Sequence, residues 1–366
     1  MTVPYFAVDR EFETIREPVL EAIEEVLRSG RMLGGPPIAE FEREIATRAG
    51  RRFAVALNSC TDALYFAFET LGIAPGDEVL VPDFSFAATA SSVLRAGAIP
   101  VFADVNESYE LDLEHAASLI SPRTRALVVV DLFGRIGDPR EAERFTAEHG
   151  LVLVEDAAQT FGAARDGRPA GSVGAASCFS FDPTKVVSAP GSGGALVTDD
   201  EAVADRVREL RLHGKAKSGE FERLGYNAQM SSIVAAVLSV KLRYEEQWLR
   251  ARQATAAAYA EALRELAAET PEEPSDREHV FHKYVVRVAD RDRVRVALEG
   301  RGVSTLVHYP QTLSAHPFVS AASHRGGGEV AARLTHEVIS LPINAHLRPD
   351  EVERVTEALA VAIPAH

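Results

Sequence analysis

Apolar residues along this chain follow two rhythms. Phe12, Ile15, Val19, Ile23, Val26 and Leu27 recur at helical intervals over residues 11–28, and Gly30 closes the stripe. Pro36-Pro37 opens a second helix over 38–49, with Phe41 and Ile45 on one face. Short, nearly continuous apolar runs then take over at 53–57, 78–81, 99–103, 125–132 and 151–155, with a further run ending in Phe179-Ser180-Phe181. Helical patterns separate them at 63–71, 86–96, 113–120 and 139–149, and another follows at 201–212. Runs such as LVVV and LVLV do not alternate with polar residues. They are the mark of strands covered on both faces, in a mostly parallel sheet with crossover helices.

Beyond residue 230 the rhythm changes. An Ala-rich stretch without proline, 231–266, reads as one long helix. Pro271-Glu272-Glu273-Pro274 is a surface turn. The remainder reads strand (281–288), helix (291–299), strand (303–307), helix (328–339) and helix (349–361). The expected fold class is therefore α/β: a three-layer large domain, residues 1–247, whose mixed but mostly parallel sheet is covered by helices, and a smaller α+β domain, residues 248–366. A length of 366 residues suits two cores better than one.

The balance of 39 Lys plus Arg against 54 Asp plus Glu gives a net charge of −15, a poor match for nucleic acid or an anionic membrane surface. An anionic substrate then needs local basic residues. Cys60 and Cys178 stand at no metal-ligand spacing, so no metal site is expected. With no signal-like N-terminus and no apolar run of spanning length, the expected setting is reducing and cytoplasmic.

Strands in such sheets deliver ligands to their carboxyl ends. Three such ends carry chemistry: Asn58-Ser59-Cys60-Thr61-Asp62, Pro82 to Phe86, and Asp156 to Gln159. The first runs into a helix N-terminus, whose free N–H groups and dipole suit a phosphate; the plainer alternative is that Thr61 or Asp62 only caps that helix. The stretch 151–200 adds Ser180, one lysine, Lys185, and the turn Gly191-Ser192-Gly193-Gly194. A carboxylate, a hydroxyl, a lysine and a flexible turn suit an enzyme that holds a phosphorylated cofactor covalently. A Schiff-base lysine needs an amine that can lose its proton, and burial lowers a lysine pKa. The glycine turn has neither GxGxxG spacing nor a Gly-x-Ser-x-Gly pattern, which argues against a dehydrogenase or a serine hydrolase.

The segments NSCTDAL, PDFSFAATASSVLRAGAIPVFADV, VEDAAQTFGA, FSFDPTK, GSGGALVTDD, LGYNAQM and VHYPQ, in this order, resemble the sugar aminotransferases of the DegT/DnrJ/StrS type, which are pyridoxal phosphate enzymes of the aspartate aminotransferase fold. The resemblance covers nearly the whole chain. It implies that Lys185 carries pyridoxal 5'-phosphate and moves the proton, and that Asp156 partners the pyridine nitrogen. It implies that Gln159 contacts the ring or its hydroxyl, Phe86 stacks on the ring, and Cys60, Thr61 and Ser180 bind the phosphate. Asn227 would reach the neighbouring subunit's phosphate, making a homodimer with shared sites. His308 and Tyr309 would border the substrate, and His213 lies on a loop with Lys215 and Lys217 that could offset a diphosphate. The chain departs from the family pattern at Cys60 (usually Gly), Val186 (Asn), Ser192 (Asp) and Gln229 (Arg), the last a substrate-facing position. His115, His149 and His336 read as surface residues.

The function implied is transfer of an amino group from an amino acid, glutamate first among them, to a nucleotide-linked keto sugar in deoxyaminosugar synthesis. A keto-cyclitol acceptor is the alternative. A sugar dehydratase on the same fold commonly has histidine where Lys185 stands, and a non-catalytic sensor needs no Asp156/Lys185 pair.

Overall fold

A computed structural model describes residues 2–272 and 277–365. Two helices lead, α1 (Val8–Ser29) and α2 (Pro36–Arg48). A strand–helix series follows: β1 (Phe53–Leu57), α3 (Cys60–Thr70), β2 (Glu78–Pro82), α4 (Ala87–Arg95), β3 (Ile99–Ala103), α5 (Leu113–Ser118), β4 (Thr124–Val130), α6 (Pro139–His149) and β5 (Val152–Asp156). Next come a small hairpin, β6 (Ala164–Arg165) and β7 (Arg168–Pro169), then β8 (Ala176–Ser180), β9 (Gly194–Thr198) and α7 (Glu201–Arg211). The C-terminal part holds α8 (Ser232–Leu242), α9 (Glu245–Leu263), β10 (Tyr284–Arg287), α10 (Arg291–Glu299), α11 (Pro317–Ser320), β11 (Arg325–Gly326), α12 (Glu329–Glu337), β12 (Val338–Leu341) and α13 (Pro349–Ala362).

Eight strands form one sheet in the order β1-β9-β8-β5-β4-β2-β3-β11. β9 pairs antiparallel with both its neighbours and the remaining pairings are parallel. Seven strands therefore end at one edge, and β9 starts there. The fold is α/β, as the unbroken apolar runs imply: Val79, Leu80 and Val81 are fully buried, with side chains on both faces of the sheet packed under helices. A separate cluster built on Tyr259, Tyr284, Val286, Ile339, Val355 and Leu359 surrounds the antiparallel pair β10–β12.

Several elements differ from expectation for physical reasons. The first helix kinks at Ile15, three residues before Pro18, whose ring cannot share space with a regular preceding turn. The helix expected at 63–71 starts at Cys60, and Ser59, rather than Thr61 or Asp62, caps it by accepting the Asp62 N–H. The single helix expected over 231–266 is two. α8 packs on α1 and α2, whereas α9 packs on α13, so packing rather than a local breaker sets the junction at Arg243-Tyr244. Residues 303–307 form no strand; Val303 and Leu306 make single bridges to Val3 and Ser340. The strand that pairs with β10 is β12 instead, where β-branched Val338 and Ile339 end the helix expected to run to 339. His149 and His336 are exposed, but His115 is half-buried and its Nδ1 accepts the Asp104 N–H at 2.9 Å. Of the turn expected at 271–274, Glu273 and Pro274 lie outside the described residues.

Candidate active site

The carboxyl edge of the sheet opens into a cleft of about 370 Å³. Cys60 and Thr61 enter it from the β1–α3 junction, Ser85 and Phe86 from the β2–α4 junction, Asp156 and Gln159 from the end of β5, and Ser180 and Lys185 from the end of β8. His308 and Tyr309, from the C-terminal part, close the far side. Nine of the residues singled out in the sequence thus line one cavity.

Alternation along β5 sends its two acidic residues to opposite faces. Glu155 is fully buried and structural: its carboxylate accepts from the Gly171 and Val173 N–H groups and from the Ser177 hydroxyl at 2.6 Å. Asp156 faces the cleft, where its Oδ2 accepts from Thr89 Oγ1 at 2.9 Å and its Oδ1 from the Ala158 N–H at 3.3 Å. Burial pushes its pKa up, while those donors and the charge of Lys185 pull it back. Burial outweighs them, so the ionised form is held at a cost that a cationic partner would relieve. Gln159 is held at both ends of its amide, accepting from the Phe133 N–H at 2.8 Å and donating to the Tyr309 hydroxyl at 3.2 Å.

Lys185 sits on the loop between β8 and β9. The loop is fastened at its base: Phe181 N–H donates to Gly193 C=O at 2.8 Å and Ala189 N–H to Phe181 C=O at 2.7 Å. Burial lowers the Lys185 pKa, against the opposing pull of Cys60, Asp156 and Asp182. No ion pair forms on its amine among the described residues, and the lowered pKa makes its neutral, proton-accepting form easier to reach than that of a solvated lysine.

The N-terminus of α3 forms one wall. Ser59 takes the Asp62 N–H on its hydroxyl and the Ala63 N–H on its carbonyl. Cys60 and Thr61 line the cleft at the first turn of α3, where backbone N–H groups precede the helix's own acceptors and the helix dipole is positive. Gly194 allows this approach, since a Cβ there would collide with the Ser59 carbonyl carbon and the Cys60 nitrogen. The Ser180 hydroxyl lies on the same wall. A phosphate fits this donor set: two backbone N–H groups, two hydroxyls and a helix dipole. Burial pushes the Cys60 thiol well up, so it stays protonated and adds no charge against an anion.

Phe86 is 56% exposed, with its ring 6.2 Å from that of Tyr309, so a face remains open to a planar ligand. His308 Nδ1 pairs with the Ser340 hydroxyl at 2.8 Å, and burial takes its pKa down to about 3. The His308–Tyr309 peptide is cis.

Three expected residues lie outside the cleft. Asn227 is exposed and bridges to Leu212; Gln229 bridges to Leu57; His213 is exposed and donates its N–H to Tyr226. On the same loop, Lys217 pairs with Asp205 at 2.5 Å. Conversely, sequence reading missed Thr89, Phe6, His282 and Lys283. The last three line the cleft and come from the N-terminus and the start of β10, segments with no local motif. A buried lysine inside the apolar run HVFHKYVV is the one signal that could have found Lys283.

Residues 13–360 match the model of the DegT/DnrJ/EryC1/StrS aminotransferase family. A dTDP-3-amino-3,4,6-trideoxy-alpha-D-glucose transaminase of Streptomyces venezuelae is 38% identical over 98% of this chain and 95% of its own. A pleiotropic regulatory protein of Geobacillus stearothermophilus is 34% identical over 98% of each chain. The solved structure of NtdA from Bacillus subtilis, with bound cofactor PMP, superposes with a TM-score of 0.90 at 30% identity, over 99% of this chain and 85% of that one.

Proposed function

The chain belongs to the DegT/DnrJ/EryC1/StrS aminotransferase family, and on that premise we propose that it transfers an amino group from an amino acid, with glutamate as donor, to a nucleotide-linked keto sugar. It is a transaminase of the aspartate aminotransferase fold and its cofactor is pyridoxal 5'-phosphate. One observation carries the reading: an amine without an ion pair among the described residues, a buried carboxylate and an open helix N-terminus meet in a single cleft.

When bound, the cofactor supplies an electron sink for the carbanion left by deprotonation next to the amine. Lys185 would hold it covalently through Nζ. Released from that bond, the same Nζ would take the proton from the donor's α-carbon and hold it inside the cleft, away from solvent, until it is given back; its lowered pKa suits both halves of that task. Asp156, steadied by Thr89 and Ala158, would keep a protonated ring nitrogen charged. The α3 N-terminus with Thr61, Cys60 and Ser180 would hold the phosphate, Phe86 would cover the ring, and Gln159 would set its in-plane orientation. His308 and Tyr309 would border the substrate.

The reading extends to assembly. Asn227, exposed and outside this chain's own cleft, would serve the site of a second copy in a homodimer, with Gln229 and His213 beside the acceptor sugar. Residues 1–247 would form the cofactor-binding domain and 248–366 the smaller one, in a cytoplasmic enzyme. Among the described residues no helix is long and apolar enough to cross a membrane.

Two experiments test this. Borohydride should fix the yellow cofactor onto a peptide containing Lys185; label on any other lysine refutes the assignment. Mass spectrometry of the protein with glutamate and a panel of nucleotide keto sugars and keto-cyclitols should show amination of the former. Amination of cyclitols alone, or loss of water without amine gain, would replace the substrate or the reaction proposed.

A further inference from the structure

Lys283 has no part in the chemistry above, yet it lines the same cleft as Lys185. It is 5% exposed. Its backbone is pinned by the N–H donated to Phe133 C=O at 3.0 Å, at the entry to β10. Its ammonium lies over two aromatic faces, 5.1 Å from the Tyr5 ring centre and 4.9 Å from that of Phe6. Among the described residues no carboxylate forms an ion pair with it. Arg252, also buried, donates to the Phe281 and Ile343 carbonyls and adds a further positive charge. A buried cation braced by aromatic rings, backed by a second cation and facing a ligand cleft, is short of one anion.

We propose that Lys283 receives a carboxylate of the substrate. The inference rests on the transaminase reading and names the group that reads the substrate's charge. The chemistry narrows the anion. A donor amino acid bears a carboxylate on the very carbon whose proton Lys185 takes, so that carboxylate must enter this cleft beside Lys185. An acceptor that is a uronic acid carries the same group and is the other source.

The ammonium's surroundings make binding visible. Burial, then Lys185 and Arg252, bring the Lys283 pKa down to about 7, with Asp182 pulling the other way. His282 and His308, which flank it, are held neutral by burial, and Tyr5 is held protonated. A carboxylate arriving at Lys283 therefore draws a proton onto it from solvent above neutrality.

The test uses cofactor-loaded wild type, Lys283→Met and Lys283→Arg. Calorimetry with glutarate, an unreactive dicarboxylate, at about pH 8 in buffers of different ionisation enthalpy should show proton uptake by wild type and none by K283M. Single-turnover absorbance with L-glutamate should show K283M needing about 10- to 100-fold more donor for half-maximal rate, with the limiting rate little changed and K283R partly rescuing it. In a parallel arm, a nucleotide keto-hexose is compared with its keto-hexuronate as acceptor. A penalty on glutamate assigns the carboxylate to the donor, and one on the hexuronate alone assigns it to the acceptor. Unchanged half-saturation for both, in a variant with wild-type melting behaviour, overturns the proposal. So does an equal loss for acceptors with and without the carboxylate, which marks a structural role. If wild type transfers no amine at all, the transaminase reading itself has failed.

Discussion

Replacing Lys283 by Met should stabilise the cofactor-free protein at neutral pH, and the gain should fade as the solution becomes alkaline. Lysine titrates near 10.5 when solvated, and here at about 7. A gap of roughly 3.5 units at about 1.4 kcal/mol each corresponds to a penalty of about 5 kcal/mol for burying the charge. A folded pKa of about 7 already contains whatever the two aromatic faces return, so this figure is the net cost of the charge. The sign follows from linkage. Below pH 7 the amine is charged in both folded and unfolded chains, and the full penalty applies. Between pH 7 and 10.5 the folded form is neutral while the unfolded form is still charged, and the penalty shrinks by about 1.4 kcal/mol per pH unit. Methionine has a similar length and no charge. K283M should therefore melt about 3–6 °C above wild type at pH 7, with the difference in stability falling by about 2 kcal/mol by pH 9. Parallel melts of both proteins from pH 6 to 9 cancel every titration they share. A variant less stable than wild type at pH 7, or a difference that does not move with pH, would refute the claim that Lys283 is a buried charge held at a cost.

Five other substitutions test the site and its supports. Lys185→Ala should abolish turnover and borohydride labelling, read by activity and peptide mass; surviving full activity would disprove the mechanism. Asp156→Asn should cost about 100-fold or more in turnover by uncoupling the ring nitrogen, and Thr89→Val, which removes one donor to that carboxylate, about tenfold; both are read by steady-state rates. Gly194→Ala should drive the α3 N-terminus off the cleft and weaken pyridoxal phosphate binding, measured by cofactor fluorescence titration, with little change in donor half-saturation once loaded. Glu155→Gln should destabilise the fold by about 2–3 kcal/mol, since the amide nitrogen would set a second donor against one of the N–H or O–H groups that the carboxylate now accepts from; urea unfolding checks it.

The strand ends that gather the site were readable because period and position coincide. A run such as LVLVED names both a doubly covered strand and the residue delivered to its edge, and Asp156 lies there. The junction after Leu57 was readable for the same reason, though its cap was misplaced by two or three residues, because Ser59, Thr61 and Asp62 offer the same oxygen chemistry. What escaped depends on distant packing. The break at Arg243-Tyr244 has no glycine or proline to announce it. Val303 and Leu306 have the composition of a strand but only single-residue partners. Lys283 lay within a run read simply as a strand, and its importance comes from Tyr5, Phe6 and Lys185, which are between about a hundred and nearly three hundred residues away in sequence.

The reversed strand β9 has a consequence for how the protein assembles. The parallel pairings wait for a crossover to bring the partner back across the face, helical in most cases and carrying the β6–β7 hairpin between β5 and β8. β8 and β9 are joined only by the Lys185 loop and zip antiparallel from Ser180–Gly194 outward. Closing so short a loop costs little chain entropy and needs no crossover. The seat of the reactive amine can thus form early and locally, before the cleft around it exists, and hydrogen-exchange pulse labelling during refolding should find the amides of β8 and β9 protected ahead of those of β2 and β3.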